Sequence, residues 1–303
     1  QSGASKAVKT AAVPGNMRTP AMSPIGARAD TNNRRRPSVS QLDHSGSVVL
    51  TGSSHRDKRA ELAARSNPQA AQILKERSDK LMNAGVLDTL DFPVARGKEA
   101  HVFHGTDLNG NSVAVKIFHT SNAVFKNLMQ YIEGDPRFGG LRRRHRDLVD
   151  IWVRKEHRNL MRLYRWGLPV PQPIAIQRNV LVMDYLGTDS QPSPKLRDVH
   201  IENPQAVYEE MLEFLAVSWQ KAELVHGDFS PFNILWHGNA PIVIDVGQGV
   251  IQHHPKAKEF LVRDVTRLVE WANKNGIDVE LADAMYEVLE MDLSHIVERL
   301  EEE

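Results

Sequence analysis

The segment His226-Gly227-Asp228-Phe229-Ser230-Pro231-Phe232-Asn233, followed a few residues later by Ile242-Val243-Ile244-Asp245-Val246-Gly247, decides how this chain is read. The first segment has the pattern H-x-D-x-x-x-x-N. The second sets an aspartate and a glycine directly after an apolar strand. Phosphoryl transfer asks a protein for positioning and charge neutralisation rather than for covalent help. A hard cation such as Mg2+ takes oxygen ligands, the donors that Asn233 and Asp245 carry. Asp228 has the chemistry to accept the proton of an incoming hydroxyl or to orient a water. Turn capping is the plain structural alternative for these three residues, and the apolar flanks on both sides weigh against it.

Working upstream, Val113-Ala114-Val115-Lys116-Ile117 resembles the protein-kinase strand whose lysine binds the α- and β-phosphates. A lysine inside an apolar run is costly unless an anion meets it. Its expected ion-pair partner is the helical Glu156 in Trp152-Val153-Arg154-Lys155-Glu156-His157-Arg158-Asn159-Leu160. Read singly, Lys116 would be a solvent-pointing strand lysine and Glu156 a surface helix charge; the downstream motifs reverse both readings. The phosphate-covering loop is Ala95-Arg96-Gly97-Lys98-Glu99-Ala100-His101-Val102, in which Gly97 and Val102 match a glycine-rich loop. Lys98 offers a point charge to a phosphate there.

Around these motifs the expected elements are a helix over about 56–84 interrupted at Pro68 and stopped at Gly85, then strands at Phe92–Val94, His101–His104 and Ser112–Phe118. A turn at Gly97 and the Asn109-Gly110-Asn111 hairpin join those strands. Residues 119–149 read as a long, polar, flexible insertion holding the basic cluster Arg142-Arg143-Arg144-His145-Arg146. A helix follows over Asp150–Trp166, ending at Gly167. Ala175–Ile176 and Val180–Tyr185 read as strands, Pro204–Ala222 as a helix, and the chain from Lys256 as mostly helical. A β-rich first part and a helical second part joined near 184–190 predict an α+β, bilobal architecture. The expected division is a basic, disordered tail over 1–54, N-terminal helices and N-lobe over 55–184, and a C-lobe over 185–303. Arg34-Arg35-Arg36-Pro37-Ser38 in the tail reads as a polyanion contact, a basophilic phosphorylation site or a solvated segment.

The 303 residues suffice for one two-lobed catalytic unit, and equal numbers of basic and acidic side chains point to no polyanion partner. Absence of cysteine excludes disulfides, zinc–thiolate sites and thiol catalysis. No run approaches the roughly 18 apolar residues of a membrane span. The expectation is a soluble, cytoplasmic protein. The first residue is Gln rather than Met, which leaves an upstream segment open. Nothing in the sequence sets an oligomeric state.

Gly97-Lys98-Glu99-Ala100, the Trp152–Leu160 block, His226-Gly227-Asp228 with Ser230 and Asn233, Ile244-Asp245-Val246-Gly247-Gln248 and His254-Pro255 resemble the RIO family of atypical serine/threonine kinases. The likeness runs over roughly residues 75–275 and is nearest the branch without a winged-helix domain. It implies a kinase-like fold without the activation loop and peptide-binding helices of ordinary protein kinases. It also implies ATP and Mg2+ (Mn2+ an alternative), serine autophosphorylation or an aspartyl phosphate on Asp245, and a role in maturing the small ribosomal subunit, with that particle and its RNA as partners. Met183-Asp184-Tyr185-Leu186-Gly187 aligns with the adenine hinge, so the Asp184 carbonyl and the Leu186 N–H are expected at the purine. The implied site is therefore Asp228, Asp245 and Lys116 for chemistry, with Gly97, Lys98, Val102, Glu156, Met183, Asp184, Leu186 and Asn233 around the nucleotide and Asn233 and Asp245 on the metal.

Two departures stand out. Ala95-Arg96 replaces the family's Ser-Thr, and Phe229-Ser230-Pro231-Phe232-Asn233 replaces its Leu-Ser-Glu-Tyr-Asn. His253-His254-Pro255 reads as a structural turn, because adjacent histidines project apart and no carboxylate sits at ligand spacing. Two alternatives remain at this level: a small-molecule kinase of the aminoglycoside-phosphotransferase type, and a non-catalytic assembly factor switched by ATP.

Overall fold

A computed structural model describes residues 79–119, 129–138, 145–188 and 190–302. The expected tail over 1–54, most of the helix over 56–84 and the arginines at 142–144 lie outside the described residues. Five strands form one antiparallel sheet: β1 (Thr89–Arg96), β2 (Ala100–Thr106), β3 (Ser112–Phe118), β4 (Pro173–Gln177) and β5 (Val180–Asp184), in the order β1-β2-β3-β5-β4. β3 lies at its centre, and six of its seven residues are buried. Alternation splits the central side chains between two faces. Phe103, Val113, Val115, Ile117, Val180 and Val182 pack with Leu81 and Leu87 into one small core. On the opposite face Ala100, Phe118 and Leu181 join the main core, and Val102, Lys116 and Leu181 lie in cross-strand register.

Helix α1 (His145–Tyr164) crosses from the insertion to β4 and starts five residues before the expected Asp150. It stops where Gly167 takes a left-handed φ of 65° and Leu168 N–H reaches back to the Leu163 carbonyl. Helix α2 (Pro204–Gln220) begins with the Asn203 side chain accepting from Ala206 N–H and Pro204 in its first turn. Between α2 and the later helices run short strands: β6 (Leu224–Val225), β7 (Ile234–His237), β8 (Ala240–Val243) and β9 (Val250–Ile251). Gly238 and Asn239, with φ of 59° and 65°, give the two-residue turn that the β7–β8 hairpin needs. Helices α3 (Ala257–Lys274), α4 (Leu281–Glu290) and α5 (Ser294–Glu302) complete the helical part.

The architecture is α+β and two-lobed, as expected, with local differences. Strand β6 is only two residues long, because Gly227 takes a φ of 79° and turns the chain. The described part of the insertion holds two 3-10 turns, Met129–Tyr131 and Pro136–Phe138, with Tyr131, Ile132 and Phe138 in the main core. Tyr131 and Phe138 are apolar anchors that a polar-loop reading of 119–149 overlooks.

Candidate active site

Of the expected residues, Lys116, Glu156 and Asp245 touch one another, and Asp228 and Asn233 form a second touching pair. Lys116, 8% exposed, donates from Nζ to Glu156 Oε1 at 2.7 Å and to Asp245 Oδ1 at 2.9 Å. One ammonium thus joins β3, the middle of α1 and the second residue past β8. Burial alone would pull the Lys116 ammonium down, but the Asp245 and Glu156 carboxylates outweigh it and hold it above its usual value. Lys116 in turn keeps Asp245 below the ordinary carboxylate range. Burial raises Glu156, with Lys116 opposing. Asp245 itself is half exposed at its side chain and adopts a left-handed φ of 61° and ψ of 54°, uncommon for a residue other than glycine.

Asn233 and Asp245 meet at one end of the β7–β8 hairpin, where Ile234 pairs with Val243 and Ile244 N–H bonds to the Asn233 carbonyl at 2.9 Å. Asn233 Nδ2 donates to the Asp228 carbonyl at 2.8 Å and to Asp228 Oδ2 at 3.1 Å. That commits the amide nitrogen to the protein and leaves the Asn233 amide oxygen as the cation donor. Asp245 engages Lys116 through Oδ1, leaving Oδ2 as a second oxygen donor. Among the described residues no group of three or more His, Cys, Asp or Glu side chains is arranged to hold a metal. Mg2+ fits this donor set nonetheless, because it is commonly held by one or two protein oxygens plus substrate phosphates and water.

Two further groups hold the catalytic-loop candidate, and the sequence reading passed over both. Asp264 of α3, fully buried, accepts from Gly227 N–H at 2.6 Å and Phe229 N–H at 3.0 Å. Burial pushes its carboxyl up, and the two backbone bonds oppose that. Three residues on, Arg267 donates to Asp228 Oδ1 at 2.6 Å. Arg263 donates to the Gly227 carbonyl, and His226 bonds through its ring to the Ile244 carbonyl at 3.1 Å and to Asp228 N–H at 3.2 Å. An aspartate set among Phe260, Leu261, Val265 and Leu268, all buried, is the signal that could have exposed Asp264.

The turn after Asp245 is fastened to α1. Lys155, fully buried, donates to the Gly247 carbonyl at 2.8 Å and also to that of Gly249. Asn159 Nδ2 donates to the Val246 carbonyl at 2.8 Å and the Gly249 carbonyl at 2.9 Å. His254 behaves as a structural residue: its Nε2 meets the Glu133 carbonyl at 2.8 Å, and its Nδ1 accepts from Lys256 N–H at 3.1 Å.

Above this cluster, Gly97 N–H bonds to the Ala100 carbonyl at 2.9 Å, closing the loop, and His119 N–H bonds to the Glu99 carbonyl at 2.8 Å. Lys98 is exposed. Burial pushes the Glu99 carboxyl up to about 7, with the Asp245 carboxylate adding to the rise and Lys116 opposing it. Val102 lies beside Lys116 in register. Met183 and Asp184 pair with Ala114 and Val113 at the end of β5, and the chain leaves the sheet before Leu186, whose carbonyl accepts from Ser193 N–H at 2.9 Å. A cationic strand residue, two oxygen donors on Asn233 and Asp245 and the carboxylate of Asp228 can together hold a metal-bound polyphosphate and present a hydroxyl or water to it.

Comparison with known proteins gives the family. The RIO domain model matches residues 101–285. The RIO-type serine/threonine-protein kinase Rio1 of Haloferax volcanii is 41% identical over 208 residues, covering 69% of this chain and 71% of the relative. Human serine/threonine-protein kinase RIO1 is 36% identical over 212 residues, but this chain spans only 37% of its length. In fold, the chain is similar to the Rio2 kinase–ADP/Mg2+–phosphoaspartate complex from Chaetomium thermophilum, with a TM-score of 0.54 at 23% identity over 74% of this chain and 68% of that one. With more than half of its length matched by the family model and a relative of this identity covered over two thirds, the chain belongs to the RIO family of atypical kinases.

Proposed function

We propose that the chain is a Mg-ATP-dependent phosphoryl-transfer enzyme in which Lys116, held by Glu156, binds the nucleotide phosphates and Asn233 and Asp245 hold the metal. The observation that carries this reading is the buried Lys116 ammonium shared between Glu156 and Asp245. An ammonium so placed needs anions, and arriving phosphates would take over the contact that Asp245 makes. The bound metal supplies neutralisation of phosphate charge. Gly97 and Lys98 cover the phosphates, Val102 and Met183 flank the purine, and the Asp184 carbonyl and Leu186 N–H bond to it. Asp228, oriented by Asn233 and Arg267, takes the proton of a serine hydroxyl as its oxygen attacks the γ-phosphorus and the bond to ADP breaks.

A second reading places the phosphoryl group first on Asp245: its carboxylate oxygen attacks the γ-phosphorus, ADP leaves with the bonding pair, and water later cleaves the acyl phosphate. The phosphoaspartate in the Chaetomium thermophilum Rio2 complex favours it for that protein. The half-exposed Asp245 side chain suits it here. The wider role we propose, cytoplasmic maturation of the small ribosomal subunit with its RNA as partner, follows from the family likeness. So do the likeness to the branch without a winged helix and the use of Mn2+ in place of Mg2+, whereas the proposed division at 1–54, 55–184 and 185–303 rests on composition and the order of elements. Among the described residues no helix is long and apolar enough to cross a membrane.

Incubation with labelled ATP and Mg2+ tests the proposal. Asp228→Ala is expected to lose turnover while still binding ATP, and Asp245→Ala to lose metal-dependent binding as well. Label removed by hydroxylamine marks the aspartyl phosphate, and acid-stable label marks phosphoserine. Neither hydrolysis nor label would leave a non-catalytic ATP switch, and robust phosphorylation of an aminoglycoside or a choline-like alcohol would install the small-molecule alternative.

A further inference from the structure

A cavity of about 700 Å3 opens on the side of Asp228 facing the 3-10 turn Leu196–Asp198 and helix α3. Its walls are well built. Arg197 N–H bonds to the Pro231 carbonyl at 3.3 Å and Trp236 N–H to the Pro194 carbonyl at 2.8 Å, docking the 194–198 segment along the catalytic-loop candidate. On the opposite wall Arg267, Glu270, Trp271 and Lys274 line the cavity. They stand at i, i+3, i+4 and i+7 of α3, one face of the helix.

The lining is amphipathic. Leu196, Val199, Ile201 and Trp271 supply apolar surface, and Phe232, 51% exposed, stacks under the Arg197 guanidinium at 4.3 Å. Three cations, Arg197, Arg267 and Lys274, face two carboxylates, Asp228 and Glu270. Arg267 is spent on Asp228 at 2.6 Å, and Arg197 is shared with Asp198 at 3.0 Å. Lys274, exposed at the last position of α3, makes no ion pair among the described residues. A groove that tracks a nucleic-acid backbone is cationic along its length, and this one is interrupted by carboxylates. Discrete charges spaced over apolar surface suit a peptide instead.

We propose that this cavity is the acceptor site and takes an extended peptide: its hydroxyl residue at Asp228, an apolar side chain over Trp271 and Ile201, and an acidic side chain against Lys274. The inference rests on the phosphoryl-transfer reading above for the role of Asp228. The spacing follows from geometry. Seven helical residues from Arg267 to Lys274 span about 10 Å, which an extended chain covers in about three residues. The favoured acid is therefore about three positions from the hydroxyl. The site does the work that the peptide-binding helices of ordinary protein kinases perform, using the exposed face of α3 and the Leu196–Asp198 turn.

Fluorescent serine peptides with Asp or Lys placed three residues to either side, binding measured by anisotropy without ATP, test the site itself. The acidic peptides are expected to bind wild-type protein about five- to tenfold more tightly than their lysine counterparts. Lys274→Glu is expected to invert that order, and Trp271→Ala to weaken both peptides. No discrimination, or discrimination that Lys274→Glu leaves unchanged, overturns the proposal. So does a single-stranded RNA oligonucleotide that binds, is lost on Lys274→Glu, and excludes the peptides. Turnover of Mg-ATP by wild-type protein is read separately: its absence sinks the phosphoryl-transfer reading, whereas the anisotropy result stands or falls with the cavity.

Discussion

Glu99 is a residue whose chemistry departs far from what its sequence suggests. Within a polar loop it reads as a solvated charge, yet its carboxyl is pushed from 4.5 to about 7, first by burial and then by Asp245, with Lys116 opposing. Between these two values the folded protein keeps a proton that the unfolded chain has released, so its contribution to stability is complete below about pH 4.5 and is lost as pH rises to 7. Glu99→Gln keeps the neutral form at every pH. The melting temperature of Glu99→Gln should therefore match wild type at the acid end and exceed it increasingly up to about pH 7, with a constant gap above. Melts of both proteins from pH 5 to 8.5 check this, and parallel curves would reject it. Lys155 shows the same limit of reading one residue at a time. Burial, with Arg137 adding, brings its ammonium down to about 7. In the sequence it is one basic residue beside Glu156 on a helix rich in charge. Only the packing of α1 against the turn after β8 shows both side chains to be interior.

The clamp between α1 and the 246–249 turn sets Asp245 at element scale. Lys155 and Asn159, one helical turn apart, reach the carbonyls of Val246, Gly247 and Gly249, so the turn is fixed by side chains rather than by a sheet ladder. That closeness requires glycine at 249. A Cβ there would stand 2.9 Å from Asn159 Nδ2, 3.0 Å from the Val246 carbonyl oxygen and 3.1 Å from that of Val225. Two of the three are backbone atoms and cannot swing aside. Gly249→Ala is expected to cost about 1–3 kcal/mol in denaturant unfolding, as overpacked interiors do, and to weaken Mg-dependent nucleotide binding by shifting Asp245. Unchanged stability with unchanged binding would show the turn to be pliant. The strands and α2 were legible because alternation, an Asn-Pro start and Gly turns are local signals. The clamp was not, since it joins residues some ninety positions apart. Lys116 and Glu156 were found across forty positions because the downstream motifs call for a strand lysine paired with a helical carboxylate. Asp264 and Arg267 were missed because α3 reads from its amphipathic period alone.

At the scale of the whole molecule, the Lys116 contacts make nucleotide binding a matter of global stability. β3, α1 and the loop after β8 meet at one ammonium, so a ligand that occupies this point strengthens the sheet and the helical part together. A ligand that binds only the folded state adds about 2.7 kcal/mol when present at a hundred times its dissociation constant. For a domain of this size each kcal/mol moves the melting temperature by about 2–4 °C. Saturating Mg-ATP should thus raise the midpoint by about 5–10 °C. Part of that rise belongs to the metal, which the Asn233 amide oxygen and Asp245 Oδ2 would hold between protein and phosphates. Chelating Mg2+ should shrink the shift in wild-type protein and leave it unchanged in Asp245→Ala, where the metal-dependent share is already gone. Lys116→Ala should lose most of the shift with or without metal, because Glu156 is then left buried opposite the phosphates with no cation between them. Scanning calorimetry of the three proteins with ATP, with and without Mg2+, gives the answer directly. A wild-type shift indifferent to Mg2+ would detach Asp245 from the metal and leave it only its bond to Lys116.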